Sequence, residues 1–120
     1  MLRVKRLEKL LTCPYCASVI GDARYRPLAG WLRITAPDGT ELVPQHAGIL
    51  RRRAEQELAV SPEGAERDAA QARLDFVIRH AGELMYELPC LSGHRVLATA
   101  PQITRAMRRA GGTWAQLPGR

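Results

Sequence analysis

The chain has 120 residues, 46% of them hydrophobic and 25% charged, with a net charge of +6. That length predicts one domain with a modest core. No apolar run approaches the roughly 18 residues of a membrane span, and three cysteines, an odd number, argue against a closed disulfide framework. The expected setting is a reducing cytoplasm, and the basic start lacks the apolar stretch of a signal peptide.

In chain order, residues 2–11 predict a short amphipathic helix or an extended arm, with Leu2, Leu7, Leu10 and Leu11 apolar. A tight turn, Cys13-Pro14-Tyr15-Cys16, follows. Tyr25 to Ile34 reads as a strand interrupted at Pro27 and Gly30. Pro37-Asp38-Gly39 is a strong turn signal, because proline presets φ and glycine accepts positive φ. Glu41 to Val43 then returns, so residues 24–43 predict a β-hairpin. Pro44 ends that unit.

Gln45 to Val60 predicts a helix, with Ala47, Leu50, Ala54 and Leu58 at helical spacing. Ser61-Pro62-Glu63 predicts an N-cap and restart. The second helix is expected to run to about Ala81, with Gly82 as its C-cap. Leu84 to Leu88 alternates as a strand, the Cys90–His94 turn follows, and Val96 to Ala98 returns. Pro101 opens a third helix reaching about Ala110, with Ile103, Ala106, Met107 and Ala110 on one face and Arg105, Arg108 and Arg109 away from it. Gly111-Gly112 ends it. Trp31 and Trp114 are expected to anchor the core, with stacking on a base or fitting a protein pocket as the alternatives for Trp114.

The chemistry lies in two dyads. Cys13 and Cys16 form one; Cys90 and His94 form the other, with Gly93 supplying positive φ before the histidine. Together they use all three cysteines and one of the three histidines. Cys3His is a usual closed tetrahedral shell for structural zinc, so one Zn2+ is the expected cofactor. His46 and His80 are predicted on helices, and either remains a competitor to His94, because spacing alone does not place them. Strand, metal turn, strand around Cys90–His94 is the form of a zinc knuckle. The 73 residues between Cys16 and Cys90 require the hairpin and two helices to be inserted between the knuckles.

The two knuckles resemble those of zinc-ribbon proteins as a broad class. The resemblance implies a β-rich metal core and, often, binding to nucleic acid or to transcription or translation machinery. A second, local resemblance is to glutaredoxins, whose active-site motif matches Cys13-Pro14-Tyr15-Cys16 letter for letter. Thr99-Ala100-Pro101-Gln102-Ile103 and Gly111-Gly112 resemble the glutathione-binding segment and glycine pair of that family. It implies a nucleophilic Cys13 and a resolving Cys16 in a thioredoxin-like fold.

The charge is uneven. Arg3, Lys5, Arg6 and Lys9 oppose Glu8 near the start, and Leu88 to Arg120 holds five arginines and no acid. A metal that gathers these segments merges them into one patch attractive to phosphate. Arg3, Lys5, Arg6, Arg105, Arg108 and Arg109 are the expected nucleic-acid contacts. Arg51-Arg52-Arg53 reads as a solvated helix face paired with Glu55 and Glu57. There is no phosphate-cradling glycine loop, Ser/His/Asp set or carboxylate pair with a catalytic context, so no catalytic residue is assigned.

The expectation is an α+β fold over residues 1–120: a zinc-linked β-hairpin core, a helical insertion at about 45–82 and a C-terminal helix. The expected role is non-enzymatic nucleic-acid binding or regulation. The alternatives are a protein-interaction module or accessory subunit of a larger assembly, and a thiol-disulfide oxidoreductase.

Overall fold

A computed structural model describes residues 7–119. The fold is α+β. Its strands are β1 (Leu7–Thr12), β2 (Val19–Arg26), β3 (Trp31–Thr35), β4 (Glu41–Leu42), β5 (Met85–Pro89), β6 (Arg95–Thr99) and β7 (Trp114–Gln116). Its helices are α1 (Ala47–Val60), α2 (Ala65–Arg79) and α3 (Ala100–Arg109). Five strands form one sheet in the order β4-β3-β2-β1-β7, and β5 pairs with β6 in a separate hairpin. All pairings are antiparallel except β1 with β7, which is parallel.

The extended alternative for the start of the chain holds from Leu7 onward; the expected contacts Arg3, Lys5 and Arg6 lie outside the described residues. Leu7, Ala23, Tyr25, Leu32 and Ile34 contribute to the inward face of the large sheet, as strand alternation requires. Gly21 lies close against β3: a Cβ there would lie 2.5 Å from the Thr35 carbonyl oxygen.

The main core joins this face to α3 and to one side of the β5–β6 hairpin. Leu11, Ile20, Tyr86, Leu88, Val96, Ile103 and Met107 meet there. The other side of the same hairpin offers Met85 and Leu97 to Leu50, Phe76 and Val77 of the helical pair. The hairpin is thus buried on both faces and welds α1 and α2 to the sheet. α3 forms as its sequence predicts: Thr99 and Gln102 make a capping box, and Pro101 stands in the first turn.

Several expectations are corrected. Tyr25 to Ile34 is not one strand. Tyr25 and Arg26 end β2, Pro27–Ala29 makes a 3-10 turn closed by Gly30 at φ 61, and Trp31 begins β3. Ser61 does not cap the second helix; it closes the first, its hydroxyl donating to the Glu57 carbonyl at 2.6 Å. Gly64, at φ 107, reverses the chain and precedes α2. That helix ends at Arg79 with His80 as its cap, not Gly82, because the His80 amide already closes on the Phe76 carbonyl. Trp31 and Trp114 are surface residues, 38% and 56% exposed, and not core anchors. Trp31 stands beside the Arg26 and Arg33 guanidiniums, 5.5 and 5.7 Å from its ring centre.

Candidate metal centre

Each dyad sits at the end of an antiparallel hairpin. β1 delivers Cys13, the turn carries Pro14 to Ala17, and β2 leaves from Val19. In this turn the Cys13 amide donates to the Ser18 carbonyl at 2.9 Å and the Ala17 amide to the Cys13 carbonyl at 2.9 Å. The Tyr15 amide points at Cys13 Sγ, 3.4 Å away. Ala17 takes φ 61, the left-handed conformation that turns the chain. On the other hairpin, β5 delivers Cys90 and β6 departs after His94, with Gly93 at φ 94 between them. The Cys90 amide donates to the His94 carbonyl, and the Gly93 amide to the Cys90 carbonyl.

The two turns meet. The Leu91 amide donates to the Val19 carbonyl at 3.2 Å, and the hydroxyls of Ser18 and Ser92 lie 2.7 Å apart. Among the described residues, Cys13, Cys16, Cys90 and His94 form a group whose ligand atoms all lie within 4.8 Å of one another. These four can hold a metal ion. Cys16 Sγ is 3.7 Å from Cys90 Sγ, and His94 Nδ1 is 3.6 Å from Cys90 Sγ and 3.8 Å from Cys13 Sγ. Cys13 and Cys90 are buried, whereas Cys16 and His94 face solvent.

Two of the three thiols, Cys16 and Cys90, are held toward the thiolate a cation needs, while Cys13 and His94 are shifted toward their protonated forms. The Ser18 hydroxyl and amide, with help from Ser92 and His94, pull the Cys16 thiol down to about 5. Burial pushes Cys90 up, but hydrogen bonds from the His94 side chain and the His94 and Ser92 amides outweigh it, leaving it below its ordinary value. His94 is raised by Cys90 and then Cys16, which favour its charged form. Cys13 is raised, chiefly by burial. Thiolates are the form a metal requires.

His80 and His46 do not join the cluster. His80 Nδ1 bonds the Glu83 carboxylate at 2.6 Å and its ring lies tilted against Phe76. His46 Nδ1 accepts the Gly48 amide and caps α1. The glutaredoxin resemblance fares differently. After Cys16 the chain enters β2, not a helix, so no helix N-terminus lowers a thiol there. Cys13 is fully buried and its thiol raised, the opposite of an activated nucleophile. The segment after Thr99 is the first turn of α3.

The charged candidates separate. Arg108 donates to the Tyr25 hydroxyl and lies over its ring. Lys9 turns inward and donates to the carbonyls of Ala110 and Gly112 at the end of α3, where a cation complements the helix dipole. Arg105 and Arg109 remain exposed beside a cleft with Trp114. Arg51 pairs with Glu55 as expected, but Arg53 reaches across to Glu87, and Glu57 serves Arg73 and Arg95. Sequence reasoning did not single out Ser18 and Ser92; their signal was position, each within two residues of a ligand.

No protein-family model, curated protein or solved structure matches this chain. No helix among the described residues is long and apolar enough to cross a membrane.

Proposed function

We propose that the Cys3His cluster holds one Zn2+ as a structural staple, in a non-enzymatic nucleic-acid-binding domain built like a zinc ribbon. The ligand spacing carries the metal reading. Zinc bonds of about 2.3 Å to sulfur and about 2.0 Å to nitrogen, set at tetrahedral angles, give edges of about 3.8 Å between sulfurs and about 3.5 Å from sulfur to nitrogen. The sulfur–sulfur separation of 3.7 Å and the sulfur–nitrogen separations of 3.6 and 3.8 Å support that shell. Four protein ligands leave no open position for substrate, which favours structure over catalysis. Thiolate ligands fit a reducing, cytoplasmic setting.

The nucleic-acid reading draws on the acid-free segment from Leu88 to Arg120. Its β7 lies beside β1, next in the sheet. Among the described residues of that segment, Arg105 and Arg109 are exposed without an acid partner, and such cations attract phosphate and give salt-sensitive binding.

Native mass spectrometry on protein purified under reducing conditions, without added zinc, tests the first half. One zinc per chain is expected, and Cys90→Ser should lose it. A folded, metal-free wild type would overturn the zinc assignment. For the second half, affinity for an oligonucleotide should fall steeply as salt rises; equal affinity at low and high salt would sink it. The second reading is a protein-interaction module. It is favoured by an exposed groove of about 480 Å³ lined by Trp31, Leu32, Leu84 and Pro101.

A further inference from the structure

We infer that the cleft between α3 and β7 takes single-stranded nucleic acid, with one base stacked on Trp114 and its flanking phosphates held by Arg105 and Arg109. This rests on the nucleic-acid reading above and names the site within it. The cleft has a volume of about 400 Å³, and Gln102, Arg105, Ala106, Arg109, Trp114 and Gln116 contribute to its lining. Its composition is that of a nucleic-acid groove. An indole offers a flat face to any base, two guanidiniums offer charge to phosphate, and the Gln116 carboxamide can meet a base edge.

Three observations single out this surface. First, Trp114 is 56% exposed. Its strand neighbours Ala115 and Leu117 are buried, so alternation turns the Trp114 ring to the solvent side of β7, where the cleft lies. Second, Arg105 and Arg109 are one turn apart on α3, so both reach the same side of the cleft. Among the described residues neither pairs with an acid, and no acid lines the cleft. Their neighbours Arg108 and Lys9 are already engaged with Tyr25 and with the end of α3. Third, the other exposed tryptophan has one such arginine where Trp114 has two. Trp31 is flanked by Arg26 and Arg33, but of these Arg33 is neutralised by Glu41 at 3.1 Å, and nearby Arg24 pairs with Asp22.

The indole selects single strands. A base in a duplex has both faces stacked and cannot lie on a side chain without leaving the stack, whereas an unpaired base stacks at little cost.

The test uses the full chain, purified under reducing conditions, in a Trp31→Phe background that leaves Trp114 as the reporting tryptophan. The probe is an oligothymidylate of about 12 nucleotides, with a duplex of mixed sequence as comparison and affinity read by filter binding in every variant. Binding should quench Trp114 fluorescence, and the single strand should bind more tightly. Trp114→Ala should weaken affinity by about tenfold to a hundredfold. Arg105→Gln with Arg109→Gln should flatten the slope of log affinity against log salt by about 1.4. Arg67→Gln, on α2 and remote from the cleft in sequence, should change neither. Thermal melting by circular dichroism checks that each variant folds; all the altered side chains are exposed. Binding without quenching, indifferent to all three cleft residues, would overturn the inference while leaving the nucleic-acid reading standing. Tighter binding of duplex without quenching would also overturn it. No binding of either probe by the folded, metal-loaded chain would remove the reading and the inference together.

Discussion

Ala17 shows how closely the site depends on single backbone angles. It holds φ 61 where the first knuckle passes from Cys16 into β2. An L side chain in this left-handed region costs roughly 1–2 kcal/mol, of which glycine's extra freedom in the unfolded chain would take back a part. Ala17→Gly should therefore raise stability by about 0.5–1 kcal/mol at unchanged metal content. Chemical denaturation reads it; a lower midpoint would mean that the alanine methyl contributes packing that outweighs the strain. The second turn has already made this choice, with Gly93 at φ 94. At the same scale, burial separates the two cysteines of the first dyad. Cys13 is sealed in the core and Cys16 faces solvent beside Ser18, a difference that the symmetric spacing of the motif does not reveal.

Among the elements, one carboxylate joins the backbone hydrogen bonds that close the β3–β4 reversal. Asp38 Oδ1 accepts the Thr40 amide at 2.9 Å. The Thr40 amide and hydroxyl together hold the Asp38 carboxyl below its ordinary range. A carboxyl depressed in the folded state adds stability above its unfolded pKa, and that contribution fades as pH falls through the lower folded value. The melting-temperature difference between wild type and Asp38→Asn should therefore be present at neutral pH and narrow on acidification. A difference that stays constant with pH would mean that the charge of Asp38 has no part in the turn. This turn was readable from Pro37-Asp38-Gly39 because its residues act locally. The interruption at Pro27 and Gly30 was equally visible. That it ends one strand and begins another depends on β2 pairing with both β1 and β3.

For the whole molecule, a metal held by the Cys3His cluster would close a long loop. The 73 residues between Cys16 and Cys90 include β2, β3, β4, α1, α2 and β5, and four bonds to one ion would tie the two ends together. Constraining a loop of that size in the unfolded chain is worth about 4 kcal/mol in the chain-entropy account. Complete removal of metal by a chelator should lower the melting temperature by roughly 10–20 °C. Calorimetry before and after chelation, with metal content measured alongside, checks this; an unchanged transition would mean that the core alone holds the hairpins together. The molecule is elongated, with extents of 57 × 28 × 24 Å. Residues 62–69 at the far end of the helical pair are exposed throughout. The second core, around Leu50, Phe76 and Val77, contains none of the ligands, so helical content should survive chelation better than the packing around Cys13 and Cys90.

By itself the sequence determined what depends on neighbours along the chain. The knuckle turns, the Pro37–Gly39 reversal, the Thr99 capping signal and the apolar stripe of α3 are all set within a few residues, where spacing and backbone preference decide. It also nominated the four ligands, because short dyads of cysteine and histidine have few other uses. Only the tertiary structure chose His94 over His46 and His80, since the choice rests on which hairpin end reaches Cys13 and Cys16. It alone placed β7, three residues whose strand character comes from parallel pairing with β1 more than a hundred residues earlier. It also divided the arginines, engaging Arg108 with Tyr25 and leaving Arg105 and Arg109 beside Trp114. Charge can be counted along a chain, but whether a charge is free depends on what folding brings within reach of it.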